Sequence, residues 1–304
     1  ALSCQILGYI QVHEAETPGV PAERRLQVTQ RLVDLAVGSQ IDEIVVALDD
    51  RRQGFPLDEL LECKLAGIAI RPVLAFVERE TGQIALEALR PSHFLFADGF
   101  PALFDRQPLK RGLDLAVSLL LLALAWPVML LAALAIGLES GFREPILYRQ
   151  IRVGQHDRLF VILKFRTMRV GAGGFTQPND PRITRVGRLL RETRIDELPQ
   201  LINVLRGEMS LVGPRPEQPQ YVIQLRAAIP FYGLRHLGQP GLTGWAQICY
   251  PYADSEQSSR EKLQYDLYYL KNASLGFDLL ILLQTVHAVL WRQRGKVGRV
   301  AGRI

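Results

Sequence analysis

The 304-residue chain carries 36 Lys and Arg against 31 Asp and Glu, and its length exceeds the usual single domain, so about two domains are expected. Cys4, Cys63 and Cys249 lie far apart with no C-x-x-C or His-rich spacing, which excludes a disulfide framework and a structural zinc site and fits a reducing compartment. The net charge of +5 hides an asymmetry: residues 1–100 hold nine basic against fifteen acidic side chains, residues 101–304 twenty-seven against sixteen, so the second part must meet something anionic.

Residues 1–104 read as an α/β domain. Apolar, β-rich runs at 4–12 (CQILGYIQV), 43–48 (EIVVAL), 68–76 (IAIRPVLAF) and 93–97 (HFLFA) accompany helix-like stretches at 22–38 and 56–67. Strands alternating with helices predict a parallel sheet. A G-x-G-x-x-G dinucleotide turn is missing from these residues. Asp49-Asp50 reads as a turn or helix cap before it reads as a metal-binding sugar transferase motif. A regulatory or scaffolding role is the expectation here. No signal peptide is recognisable, and a start at Ala rather than Met suggests a piece of a longer protein.

The segment KRGLDLAVSLLLLALAWPVMLLAALAIGL follows at 110–138. From Leu115 to Leu138 it holds 24 uncharged, mostly apolar residues, about 36 Å of straight helix and enough for a bilayer core of about 30 Å. Pro127 at the midpoint removes a backbone hydrogen bond and clashes with the preceding turn, which leaves two halves of about 18 Å. Lys110 and Arg111 precede the segment and residues 139–194 carry twelve basic against five acidic side chains, so the positive-inside tendency places both flanks in the cytoplasm. A Pro-kinked helix over 112–138 that enters and leaves the membrane on one side is preferred to a crossing helix or a buried soluble one.

The run PILYRQIRVGQHDRLFVILKFRTMRV (145–170) predicts a hairpin around Gly154, loaded with basic residues, with Lys164 and Arg166 on one face. Gly171 to Asp180 is Gly-rich but lacks the order of a phosphate-cradling P-loop, which excludes an ordinary nucleoside triphosphatase. ITRVGRLLRETR (183–194) reads as a short basic helix with Arg185, Arg188, Arg191 and Arg194 at three-residue intervals. In TRIDELPQLINVLRGEMSLVGPRP (193–216), Leu198, Leu201, Ile202 and Leu205 predict a helix from near Asp196 to just before Gly207, with Pro199 in its first turn. Asp196 would be its N-cap or first-turn acid. The same helix end favours a carboxylate and can hold a phosphate. An ionised carboxylate beside a diphosphate is a potential nucleophile, provided that arginines and a divalent cation offset the repulsion. Farther on, 221–238 reads as an amphipathic stretch for the membrane interface or an ordinary packed helix, and 275–295, interrupted by Asp278, Gln284 and His287, as an interfacial or packed helix.

The motifs KRGLDL, KFRTM (164–168), TRIDELPQLINVLRGEMSLVGPRPE (193–217), QPGLTGWAQI (239–248) and YDLYYLKNASLGFDLLILLQT (265–285) occur in one order. Over roughly residues 108–295 the chain resembles the bacterial sugar transferase family, the monotopic polyprenyl-phosphate phosphoglycosyl transferases. The resemblance implies an α+β membrane-associated catalytic domain with the re-entrant helix, residues 105–304. Ahead of it would lie a Rossmann-like regulatory domain, residues 1–104, truncated at its start.

The implied reaction transfers a hexose-1-phosphate from a UDP-sugar to undecaprenyl (polyprenyl) phosphate and releases UMP. Its place would be the cytoplasmic face of the bacterial inner membrane, at the start of exopolysaccharide, capsule or O-antigen repeat-unit synthesis. Asp196 would carry the covalent phosphosugar, and Glu197 would hold Mg²⁺ or tune the nucleophile. Lys164, Arg191 and Arg215 would grip the diphosphate or the lipid phosphate, with Arg166 and Arg194 in the same substrate-binding set, and Pro127 would form the membrane kink. Trp126 precedes that proline where other members often carry Ser. Implied partners are the UDP-sugar, polyprenyl phosphate and membrane lipids, with no nucleic acid, and long members suggest a homodimer. Two alternatives compete: a membrane-anchored nucleotide-sensing regulatory module without turnover, and a multi-spanning enzyme without a covalent intermediate.

Overall fold

The computed structural model describes residues 4–11, 22–26, 30–47, 55–86, 107–171, 180–250 and 255–290. The chain divides at residue 88 into two compact units. The expected strand at 93–97, the Asp49-Asp50 pair and most of the Gly-rich loop lie outside the described residues.

In the first unit, β1 (Glu43–Val46), α2 (Leu57–Leu65) and β2 (Ala69–Pro72) form a β-α-β unit whose strands pair in parallel. Leu60 and Cys63 of α2 pack with Leu32 and Ala36 of α1 (Leu32–Gly38) and with Ile68, and Ile44 and Ile70 close over this core from the sheet. Three details depart from the sequence reading. The run 4–12 makes only an isolated bridge, Tyr9 to Arg25, within its described part. The helix expected over 22–38 is a 3-10 turn at Ala22–Arg24 and an α-helix only from Leu32. The strand expected over 68–76 stops at Pro72, which takes the N-cap of α3 (Val73–Thr81). Proline lacks the N–H that would continue a ladder, and its fixed φ suits a helix entrance.

The second unit is built around α4 (Gln107–Glu139), one helix that runs through Pro127 and is long and apolar enough to cross a membrane. Its buried residues Asp114, Ser118, Ala132 and Ile136 fall on one face, because the 18-residue steps between them are five helical turns. Leu120, Leu124, Leu131 and Leu138 are exposed. The two ends dock on different parts of the same unit. Arg111 near the start donates to Val204 and Leu205 carbonyls, and Glu139 at the end accepts from the backbone N–H groups of Arg185 and Val186.

β3 (Leu147–Val153) and β4 (Leu159–Phe165) form the expected antiparallel hairpin. The loop opens at Gly154, as expected, whose N–H donates to the Arg158 carbonyl at 2.8 Å, and the reversal within it falls at His156 and Asp157, both at positive φ. The basic helix α5 (Arg185–Glu192) follows, capped by Thr184, whose hydroxyl accepts from the Gly187 N–H. A 3-10 turn at Ile195–Glu197 leads into α6 (Gln200–Arg206), which ends at Gly207 in the left-handed conformation. The helix therefore begins later than the sequence reading placed it, and Pro199, not Asp196, holds the N-cap. The short strands β5 (Ser210–Val212) and β6 (Gly241–Thr243) pair in parallel. Around them lie α7 (Pro219–Ala228), α8 (Trp245–Cys249), α9 (Glu256–Lys271) and α10 (Leu275–Leu290).

The core of this unit joins Leu201 and Val204 of α6, Leu211 and Val212 of β5, Leu263 and Leu267 of α9, and Ile281 of α10. Of the two amphipathic readings, 221–238 keeps Ile223 outward but buries Tyr232 and Arg235. That arginine is no headgroup contact, because its charge is paired internally with Asp266. In α10, Asp278 is buried against Lys110 while Leu279, Leu283 and Val286 face outward.

Candidate active site

Three elements bring three charges to one point. Lys164 comes from β4, Glu197 from the 3-10 turn, and Arg215 from the Gly-Pro-Arg-Pro loop after β5. Glu197 Oε1 accepts from Lys164 Nζ at 3.0 Å and from Arg215 Nη2 at 3.0 Å. Arg215 Nη1 donates to Gln247 Oε1 at 3.1 Å, which ties α8 to the cluster.

The backbone around these side chains is held just as specifically. Asn203 of α6, fully buried, acts as a substitute strand along β4: its Oδ1 accepts from the Leu163 N–H at 3.0 Å and its Nδ2 donates to the Val161 carbonyl at 2.8 Å. Lys164 is thereby fixed against the helix that follows Glu197. On the other side, Gly213 donates to the Thr243 carbonyl and Gly241 to that of Pro214, each at 2.9 Å. A Cβ on Gly213 would lie 2.2 Å from the Gln239 carbonyl oxygen, so only glycine lets the two segments approach this closely. Arg235, 2% exposed and paired with Asp266 at 2.8 Å, donates to the Arg215 carbonyl at 3.0 Å and holds the loop from behind.

The two acids of the pair occupy opposite electrostatic environments. Burial raises the Glu197 carboxyl, but the charges and hydrogen bonds of Arg215 and Lys164 outweigh it and hold the group well below the ordinary carboxylate range. Asp196 is shifted the other way: burial and the Glu197 charge raise it, and Lys164, Arg191 and Arg194 only partly offset them. This corrects the expectation that its position favours the carboxylate, since burial beside a like charge dominates. Asp196 is 8% exposed and its Oδ1 is buried without a hydrogen-bond partner. Burial and the Arg215 charge lower the Lys164 ammonium, and Glu197 opposes them.

The remaining candidates divide. Arg191 donates from Nε to Thr167 Oγ1 at 2.8 Å, and both it and the exposed Arg194 lie close enough to bias Asp196. Arg166 turns elsewhere: it donates to the Pro145 carbonyl at 2.7 Å and pairs with Glu144. It does not join the cluster. Strand alternation puts it on the Lys164 side, but β4 ends at Phe165 and Arg166 folds back onto the segment before β3. The sequence reading missed Gln247, Asn203, Thr167 and Arg235. Gln247 and Thr167 stood inside the quoted motifs, and Asn203 was legible as a polar residue within the apolar pattern of α6.

No group of three or more His, Cys, Asp or Glu suited to a metal occurs among the described residues. Asp196 and Glu197 are the carboxylates that the cluster offers. Mg²⁺ is commonly held by one or two carboxylates together with substrate phosphates and water. Lys164 and Arg215 both bond Oε1 of Glu197, which leaves its Oε2 for such a donor set, so the residues present fit the ion.

Residues 105–292 match the family model described as bacterial sugar transferase. The UDP-N-acetylgalactosamine-undecaprenyl-phosphate N-acetylgalactosaminephosphotransferase of Aeromonas hydrophila is 40% identical over 237 residues, 76% of this chain and 54% of that protein. The UDP-glucose:undecaprenyl-phosphate glucose-1-phosphate transferase of Caulobacter vibrioides is 47% identical over 187 residues, 60% of this chain and 69% of that protein. The protein of the same description in Escherichia coli is 42% identical over 184 residues, 59% of this chain and 39% of that protein. The chain thus spans about half the length of the Aeromonas relative and less of the Escherichia one. With a match over well more than half its length, in the unit that holds the Lys164–Glu197–Arg215 cluster, the chain belongs to the bacterial sugar transferase family.

Proposed function

We propose that the protein transfers a sugar-1-phosphate from a UDP-sugar to a polyprenyl phosphate through a covalent intermediate on Asp196. The observation that carries this reading is the buried, unpartnered Asp196 oxygen beside a glutamate already neutralised by two cations. In the first step the Asp196 carboxylate attacks the phosphorus next to the sugar, the diphosphate bridge breaks, and UMP leaves with the bridging oxygen. In the second, a polyprenyl phosphate oxygen attacks the same phosphorus, restores the Asp196 carboxylate and yields the polyprenyl diphosphosugar. Dividing the transfer in this way replaces one hard displacement by two easier ones. Lys164, Arg191, Arg194 and Arg215 stabilise the charge that spreads over the phosphoryl oxygens. Glu197 would hold Mg²⁺ together with the diphosphate, and the ion would offset the negative charge gathered there.

The lipid acceptor requires the site to stand at a membrane surface. We read α4 as re-entrant, entering and leaving the cytoplasmic leaflet on one side, with Pro127, whose ring removes a backbone hydrogen bond inside the continuous helix, as the point at which it bends. Its support is that Arg111 and Glu139, at opposite ends of the helix, both contact the same unit, while Leu119 to Leu131 between them is largely exposed and apolar. Cysteines introduced at Leu109 and Glu139 should both react with an impermeant thiol reagent from the cytoplasmic side, and reaction from opposite sides would establish a crossing helix instead. The β-α-β unit before residue 89 supports a Rossmann-like reading of that part.

UMP release decides the reaction. The chain in nanodiscs should release UMP with one member of a UDP-sugar panel, and polyprenyl phosphate should sustain turnover. UDP-glucose and UDP-N-acetylgalactosamine lead the panel, because those donors are named for the relatives. No release with any donor would favour a regulatory module without turnover.

A further inference from the structure

Lys110 and Arg111 precede the long apolar helix, where the positive-inside tendency assigns cations to lipid headgroups. In the structure both side chains are turned into the protein. Arg111 donates from Nη1 to the Val204 carbonyl at 2.5 Å and from Nη2 to the Leu205 carbonyl at 2.7 Å. These are carbonyls in the last turn of α6, where the helix end favours a positive charge; that of Val204 also accepts from the Gly207 N–H at 3.0 Å. Lys110 Nζ pairs with Asp278 at 2.8 Å and donates to the Val212 carbonyl at 3.1 Å. One turn on, Asp114, 1% exposed, accepts from the Leu211 N–H at 3.0 Å and from Ser210 Oγ at 3.1 Å.

These three side chains hold both sides of the segment that connects the halves of the site. α6 follows directly on the turn that carries Asp196 and Glu197, and Val212 directly precedes Gly213-Pro214-Arg215. We propose that Lys110, Arg111 and Asp114 are positioning residues of the active site, and that the root of the membrane helix sets the distance between Glu197 and Arg215. The placement of α4 in the bilayer is thereby transmitted to the catalytic cluster. The inference rests on the transferase reading for its consequence in turnover, but not for its structural content.

A headgroup anchor needs only a charge, whereas capping two adjacent carbonyls needs the planar fork of a guanidinium. Arg111→Lys separates the two roles, because it keeps the charge and loses the fork. The variant, in the full chain in nanodiscs, should remain membrane-bound. Its kcat for UMP release should fall by about 10- to 100-fold, the scale of a small misplacement imposed from outside the chemistry, with a smaller change in KM. Amide hydrogen exchange in the 200–212 peptides should accelerate. Ser210→Ala, a milder change made from the other side of the Asp114 contact, should show the same effects to a lesser degree if Arg111→Lys does not fold.

Unchanged exchange in those peptides overturns the proposal, whether or not the wild type turns over any UDP-sugar. Wild-type kcat in Arg111→Lys overturns it as well, and so does loss of activity together with loss from the membrane, which is the signature of a lipid anchor. UMP release by the wild type decides the transferase reading separately.

Discussion

Asp196→Asn should abolish UMP release, by about 10³-fold or more, as removal of a covalent nucleophile does, while leaving the protein folded. The substitution changes almost no volume, and the affected oxygen makes no hydrogen bond that would be lost. An amide cannot attack phosphorus as the carboxylate does. The variant should also melt at or above the wild-type temperature at neutral pH. Asp196 has a folded pKa raised above its ordinary value of 3.8, so its ionisation costs stability as pH rises through that window, and Asn removes the cost. The same shift sets the acid limb of the wild-type pH–rate profile above the range of an exposed aspartate, because the nucleophile must be ionised. Activity retained in Asp196→Asn would remove Asp196 from the chemistry.

Glu197→Gln should lower both stability and turnover. Among the described residues Glu197 is the carboxylate hydrogen-bonded to both Lys164 and Arg215, and losing its charge leaves two cations facing each other in a partly buried place. Because all three side chains are only partly buried, the loss should be about 1.5–3 kcal/mol, the scale of hydrogen bonds to charged groups rather than of a fully buried pair. The two cations then separate, and the displacement should reduce kcat by about 10²-fold. The depressed folded pKa of Glu197 contributes stability that is present above its ordinary value of 4.5 and is lost as pH falls below it. The variant should therefore lose stability at neutral pH and show a flatter decline on acidification. Thermal melts from pH 7 to pH 3 measure both effects. Wild-type melting with an unchanged acid decline would show that the glutamate does not carry the cluster.

Patterns confined to a short stretch of chain were legible in the sequence. The hairpin at 145–170 followed from alternation around a turn, the basic helix from a three-residue arginine repeat, and the end of α6 from Gly207. What the sequence could not show depended on long-range placement. Strand alternation put Lys164 and Arg166 together, yet the end of β4 separates them, because Arg166 finds Glu144. Asp196 looked like a helix cap, but Pro199 takes that position and leaves the aspartate in a buried turn. Lys110 and Arg111 carry the composition of a membrane flank, and only the fold shows that their donors are turned toward α6, Val212 and Asp278. Arg235 shows the same limit, since its partner Asp266 lies thirty-one positions away.

The most direct test is the intact mass of the protein after incubation with its UDP-sugar and Mg²⁺ in the absence of polyprenyl phosphate. The expected result is the addition of one sugar phosphate, mapped to the peptide containing Asp196, missing in Asp196→Asn and discharged when polyprenyl phosphate is added. UMP release that occurs only with the lipid present, with no adduct at any time, would contradict a covalent intermediate and favour direct transfer between the two substrates.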